Sequence, residues 1–397
     1  MARVSVDVNP SVLEWALERA RVAVSPGDTG REPAGETARL LQQKLPKWLD
    51  GSAKPTLPQL RRFAKATYTP LGYFFLDAPP TDEMPLALFR SGAAGPSGPS
   101  PHMLDTIHTM QRRQEWMREH LIEDGHASLP FVASAGPDND VTSVAGMIRR
   151  ALGLSPRWAA EHDTWEAALK ALRSCMENAG ILVVANGVVG NNTRRPLDPA
   201  EFRGFVLVDD YAPLVFVNGC DWKAAQMFTL AHELAHVFLG SEAAFDLHEM
   251  RAANDPTERA CDAVAAEFLV PEAELRQRCP SARVSRSAYA GVARDFKVSR
   301  LVAARRLLDL ELTDPVHFRD FYRDYQNGKV EKPASDGGGN FYATQNARVG
   351  IPFMSAVTRA LDGGTILYKE AFELTGLRGA TFDQYASRVT GEGRFDG

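Results

Sequence analysis

The chain of 397 residues has only four cysteines, Cys175, Cys220, Cys261 and Cys279, and no C-x-x-C pair. That excludes a disulfide-stapled scaffold and a cysteine-rich zinc site. No apolar run approaches the ~18 residues that a membrane helix needs. The opening residues, MARVSVDVNPSVLEW, lack the uninterrupted apolar stretch of a secretory signal. A soluble cytoplasmic protein is therefore expected. Positive charge is not in excess: 45 Lys and Arg stand against 50 Asp and Glu, a net charge of −5. The chain as a whole is not a basic nucleic-acid binder, although one domain still could be. Hydrophobic residues at 44% and charged residues at 24% are globular values, and the length suits two or three domains.

The first 80 residues read as short helices: Val12 to Val22, Glu36 to Leu45, and Thr56 to Thr67 with Pro58 in the first turn. Residues 81–101, ending GAAGPSGPSP, read as a linker. Helices are then expected from about Met103 to Asp124, from Val141 to Leu152 closed by Gly153, and from Thr164 to Asn178 closed by Gly180. Ile181 to Ala185 is an apolar strand. Phe205 to Val208 and Leu214 to Val217 flank DDYAP as a hairpin. Further helices follow at Thr257 to Leu269, Glu272 to Arg278 and Arg286 to Leu312, the last with basic residues that read as a solvated face. After the break SDGGGN (335–340), the tail from Phe341 to Gly397 reads as a small folded appendage.

The chemistry concentrates in FTLAHELAHVFLG, residues 228–240. A spacing of four puts His232 and His236 on one helix face, about 6 Å apart along the axis. Two imidazoles so placed can reach one zinc ion, and Glu233 can act as general base without ligating it. H-E-x-x-H arises by chance in roughly one chain of this length in a hundred. Here the motif residues are the only polar ones between Leu230 and Leu239. Buried charge is costly unless it is paired or coordinates a metal, so decoration is a poor account of them.

A third ligand is expected from a second helix. Glu258 opens E-R-A-C-D, with Asp262 one turn on. Those two suit a ligand and a supporting carboxylate that fixes a histidine tautomer. Glu242, Asp246, Glu249, Asp255, Glu267 and His248 remain alternatives. The three-histidine zinc class is excluded, because Leu239 and Glu242 stand where it needs glycine and histidine. Tyr211 and His248 are the candidates for an additional oxyanion donor.

Taken in order, the blocks VAGMIRRALGL, WEAALKALRSCMENAGILVV, LVFVNG, FTLAHELAHVFLG and ERACDAVAAEFLVP resemble the ImmA/IrrE family of zinc metallopeptidases over about residues 140–310. In the last block Cys261 and Val264 depart from the family pattern, and neither is a proposed ligand. The resemblance implies an α+β fold: mostly helical, with a small sheet packed on the active-site helix in a zincin-like core. It implies His232, His236 and Glu258 as metal ligands, Glu233 as catalytic base and Asp262 as the supporting carboxylate. The implied cofactor is one Zn2+, with Mn2+ as a substitute. The implied activity is endoproteolysis of a specific protein, typically a helix-turn-helix repressor or an antitoxin, in a stress-response, phage or toxin–antitoxin setting. The edge of the strand ending LVFVNG is expected to pair with an extended substrate.

KWLDGSAKPTLPQLRRFAKATYTPLGYFFLD resembles the closing part of a repressor-type helix-turn-helix domain, and MPLALFRS (84–91) matches long family members that carry one. Pro46 interrupts the expected recognition helix, and only Lys44 and Lys47 offer phosphate contacts there. DNA binding is one reading of this domain; a degenerate domain that binds protein or regulates the peptidase is the other. The expected organisation is a helix-turn-helix-like domain at 1–80, a linker at 81–101, the peptidase domain at 102–312 and the appendage at 313–397. The rival from another class is a DNA-binding regulator or antitoxin-like protein with a structural or vestigial metal site.

Overall fold

Turn chemistry sets where the helices stop. The computed structural model describes residues 5–20, 35–80, 99–241, 243–245, 255–280, 284–327 and 340–391. Residues 84–91, most of the 81–101 segment and residues 335–339 therefore lie outside the described residues. Backbone contacts divide the chain into two units, 1–107 and 108–397.

The first unit is all-α in its described elements: α1 (Pro10–Ala20), α2 (Gly35–Gln43), α3 (Leu45–Leu49) and α4 (Leu57–Thr67). Its core gathers Val12, Leu13, Leu41, Leu45, Trp48, Leu60, Phe63 and Phe74. Pro46 acts as expected: α2 stops at Gln43, and a short α3 restarts with the proline in its first turn. Lys44 and Lys47 are both exposed. Thr56 and Gln59 form a capping box that starts α4.

The long helix α5 (Pro101–Glu123) leads into the second unit. There α6 (Val141–Leu152) starts where the Asp140 side chain accepts from the Ser143 N–H, and it ends at Gly153, whose φ of 65° suits a residue without Cβ. Thr164 caps α7 (Trp165–Asn178) in the same way. Next come β1 (Leu182–Asn186), the hairpin β2 (Val188–Val189) and β3 (Asn192–Pro196), then β4 (Gly204–Leu207) and β5 (Leu214–Asn218). The motif-bearing helix α8 (Lys223–Leu239) and the short β6 (Ala243–Phe245) follow. The rest is helical: α9 (Pro256–Leu269), α10 (Glu272–Arg278), α11 (Ala288–Phe296), α12 (Arg300–Asp309), α13 (Pro315–Gln326), α14 (Phe341–Arg348), α15 (Ile351–Asp362), α16 (Tyr368–Thr375) and α17 (Ala380–Thr390).

The main sheet has the order β1-β5-β4-β6. β4 and β5 form the expected antiparallel hairpin, Leu207 opposite Leu214, while β1 runs parallel to β5. One expectation is corrected. β5, the strand ending LVFVNG, is flanked by β1 and β4, so it has no free edge for a substrate. α8 packs on β4 and β5 and against α9. Every residue of α8 from Gln226 to Phe238 is buried, which accounts for its apolar circumference. The fold is thus α+β, with a small mixed sheet laid on the His-Glu-x-x-His helix. A second correction concerns the basic face of α12. Arg305 is exposed beside Asp309, but Arg306 is only 8% exposed and pairs with buried Glu267.

The helices after residue 340 are tied down by buried arginines. The Arg113 guanidinium donates to the carbonyls of Leu374 at 2.7 Å, Arg348 at 2.8 Å and Thr375 at 3.2 Å. Arg173 donates to Asn346 O at 3.1 Å, and the Tyr385 hydroxyl donates to Asn346 Oδ1 at 2.8 Å. Glu177 lies between β1 and Gly350, and burial raises its pKa from 4.5 to about 7 although Arg173 pulls it down. A carboxyl raised in the folded state binds more protons folded than unfolded. Stability is then lost as pH rises from about 4.5 through about 7, by about 3 kcal/mol in all. Glu177→Gln is expected to remove most of that slope. Denaturant titrations at pH 5 and pH 8 check it, and equal pH slopes in the two proteins would contradict it.

Candidate metal centre

The geometry starts from α8, whose 3.6-residue turn stacks His232 over His236. Their Nε2 atoms lie 3.0 Å apart. α9 brings the third donor. Asp255 caps its N-terminus by accepting from the Thr257 N–H at 2.7 Å, which sets Glu258 in the first turn. Glu258 Oε2 is 3.2 Å from His232 Nε2, and Oε1 is 3.5 Å from His236 Nε2. One donor atom from each of the three lies within 4.8 Å of the others.

The far side of each ring is also held. Asp262 Oδ1 is 3.0 Å from His232 Nδ1, and Ser241 Oγ is 2.8 Å from His236 Nδ1. A proton on His232 Nδ1 donated to the carboxylate leaves the Nε2 lone pair facing the cluster, and His236 Nδ1–H donated to Ser241 does the same. Two imidazole Nε2 atoms and a carboxylate then converge on one point, where the cluster favours positive charge: a proton on His232, as its pKa of about 10 reflects, or a metal ion. Two tetrahedral zinc ligands at 2.0–2.1 Å stand about 3.3 Å apart, close to the separations found here. The residues fit a zinc ion.

Burial and charge act together on these groups. Burial alone would lower the pKa of His232, but hydrogen bonds to Asp262 and Glu258 outweigh it and hold it at about 10. Burial lowers that of His236, only partly offset by Glu258. Glu258 is driven the other way: burial would raise it, but hydrogen bonds from both histidines overcome that and bring it to about 2. Glu233 is 0% exposed, and neither of its oxygens has a hydrogen-bond partner among the described residues. Burial pushes its pKa well above the usual carboxylate range, against the pull of His232. An unpaired carboxyl in a dry site is costly and poised to hold a proton.

Two contributors carry no sign of their role in the sequence. Gly204 on β4 faces α8, and a Cβ there would meet Thr229 Cγ2 at 2.6 Å, Phe216 O at 2.8 Å and Glu233 Oε1 at 3.2 Å. Only a glycine lets the strand lie that close to Glu233. Ser241 reaches His236 because Gly240, at φ 69°, ends α8 and turns the chain back. The turn glycine is visible at the end of the motif; the serine's target is not.

The other candidates separate cleanly. Glu267 is on α9 but points away, paired with Arg306 and accepting from the Glu272 N–H at 3.2 Å. Asp255 serves as the helix cap. Tyr211 lies in the β4–β5 turn, beyond Leu207, at the opposite end of β4 from Gly204 and more than about 10 Å along the strand from it. That places it away from Glu233. Glu242, Asp246, His248 and Glu249 lie outside the described residues.

Removing the ring-holding groups should weaken metal binding without deleting a ligand. Asp262→Ala is expected to lower zinc affinity about 10–100-fold, and Ser241→Ala by less. Competition against a chromophoric chelator measures both, and unchanged affinity in Asp262→Ala would remove its supporting role.

Residues 176–308 match the peptidase M78 family model, described as an IrrE N-terminal-like domain. The match supports the ImmA/IrrE resemblance and a metallopeptidase-type function, and it spans α8 and α9 with all four of His232, Glu233, His236 and Glu258. Residues 349–388 match a model described only as a domain of unknown function (DUF8813). No curated protein matches the chain.

Proposed function

We propose that this chain is a zinc-dependent endopeptidase that cleaves one partner protein, a helix-turn-helix repressor or an antitoxin, in the cytoplasm. The observation that carries the reading is the convergence of His232, His236 and Glu258 beside a buried, unpartnered Glu233. His232, His236 and Glu258 would hold the ion, and Asp262 and Ser241 keep both rings in the ligating tautomer. Bound there, zinc supplies a Lewis acid that polarises the scissile carbonyl and acidifies a water.

The rest falls to the protein. Glu233 accepts a proton from the attacking water and returns it to the leaving amine nitrogen. Burial favours its neutral form, and a cation held by the neighbouring ligands would favour the ionised form that takes the proton. Phe228, one turn before His232 on the same face with its ring centroid 6.5 Å away, lies beside the buried ligands. A partner-specific peptidase in a stress-response, phage or toxin–antitoxin setting is supported by the resemblance of the ordered sequence blocks. The N-terminal unit, all-α with a break between α2 and α3, fits a domain that recognises the partner or regulates the peptidase. No observation favours DNA binding over that.

The test is a pull-down with Glu233→Gln as bait, followed by exposure of each captured protein to the zinc-loaded wild type. Cleavage of a captured protein at one site by wild type, and not by Glu233→Gln, is the expected result. Capture without cleavage of any partner would favour the regulator reading.

A further inference from the structure

β4 has two edges, and their hydrogen bonds can be assigned. The Asn218 N–H donates to Arg203 O at 2.7 Å, just ahead of β4. Antiparallel ladders alternate, so Phe205 and Leu207 turn their N–H and C=O groups toward β5. Gly204 and Val206 then turn theirs to the other edge, where β6 lies with Phe245 opposite Gly204 and Ala243 opposite Val206. These two pairs are the hydrogen-bonded ones. Gly204 is also the residue that borders Glu233, since a Cβ there would sit 3.2 Å from Oε1. The edge held by β6 therefore begins beside the catalytic base.

An extended peptide aligns best by adding a strand to a sheet edge. The other edges serve less well: β5 is flanked on both sides, α14 lies against β1, and the outer edge of β6 stands one strand, about 4.8 Å, farther from Gly204 and Glu233. In this arrangement His232, Glu233 and His236 are all 0% exposed, and Glu233 meets no partner among the described residues. We propose that Ala243–Phe245 occupies, within the same chain, the β4 edge that an extended partner segment must take to bring its scissile bond to Glu233, and that the partner enters by displacing it. The inference rests on the peptidase reading and adds to it a resting arrangement in which β6 holds the β4 edge. A pairing of three residues is short enough to be exchanged. Its position between the two ligand helices, two residues after Ser241, ties the exchange to the metal-binding region.

The experiment uses the zinc-loaded full chain and a mixture of quenched fluorescent peptides. Ala243→Pro removes the N–H that β6 donates to Val206 and should free the edge. At least tenfold faster cleavage is expected, together with faster hydrogen exchange across residues 203–208. A Val206→Cys, Ala243→Cys pair locks β6 on β4 when oxidised and tests the same point by comparing two redox states of one variant. The oxidised form should cleave at least tenfold more slowly than its reduced form. On a Glu233→Gln, Ala243→Pro background, a synthetic peptide SEAAFDL, the sequence of residues 241–247, should restore protection at 203–208. Unchanged cleavage in Ala243→Pro despite raised exchange, or equal rates in the locked and reduced forms, overturns the inference. If no form cleaves but SEAAFDL still protects β4, the strand exchange stands and the peptidase reading is what fails.

Discussion

Glu233→Gln is expected to lower the rate of peptide cleavage by about 10³-fold or more while the protein keeps its full complement of zinc. The amide has the shape of the carboxyl but cannot accept the water's proton. The proposed ligand atoms belong to His232, His236 and Glu258, so none of them is touched. The fold should gain slightly, because Glu233 is fully buried with both oxygens unpartnered, and a neutral amide is cheaper to desolvate than a carboxylate. Three measurements therefore move in different directions: turnover falls steeply, metal content by atomic absorption stays near one, and the melting temperature holds or rises. A residue that merely packed the helix would lose stability along with activity. Retained proteolysis in this variant would remove Glu233 from the mechanism.

Much of this site is legible in the sequence itself, and the reason is local. A four-residue spacing on a helix fixes which side chains share a face, so His232 groups with His236 and Glu258 with Asp262 by turn alone, while the packing of α8 on α9 is what brings the two pairs together. The same holds for the Gly153 and Thr164 boundaries and for the β4–β5 hairpin, which are set by neighbouring residues. The features that a linear pattern misses are non-local. Strand order depends on which apolar runs meet in space, and nothing in LVFVNG signals that β1 pairs along the far side of β5. Three residues, Ala-Ala-Phe, carry no strand period, so β6 leaves no mark of its own. Arg306 reads as solvated because a basic residue next to Arg305 gives no sign of a buried acid on another helix. Ser241 and Gly204 belong to the same class: their roles come from what the chain's return path brings near them.

Two of the three acids of α9, Glu258 and Glu267, offer a second large effect, because the fold uses them for opposite purposes. Glu258→Gln is expected to reduce zinc affinity by more than the roughly 100-fold typical of losing a supporting group, since a ligand itself is lost. Metal-free stability should fall as well, because hydrogen bonds from His232 and His236 hold the Glu258 carboxyl below its ordinary range. Glu267→Ala should cost stability and leave the zinc response intact. Glu267 is 4% exposed and compensates the buried Arg306, while its backbone carbonyl accepts from Arg149. Deleting one partner strands a buried guanidinium and costs about 3–5 kcal/mol. The zinc affinity of whatever remains folded should be unchanged, because Glu267 takes no part in the ligand cluster. Thermal melts with and without zinc separate the cases. Zinc should raise the melting temperature of wild type and of Glu267→Ala by mass action, and should fail to do so for Glu258→Gln at the same concentration. If Glu267→Ala lost the zinc-dependent rise and Glu258→Gln kept it, the ligand assignment on α9 would have to be exchanged.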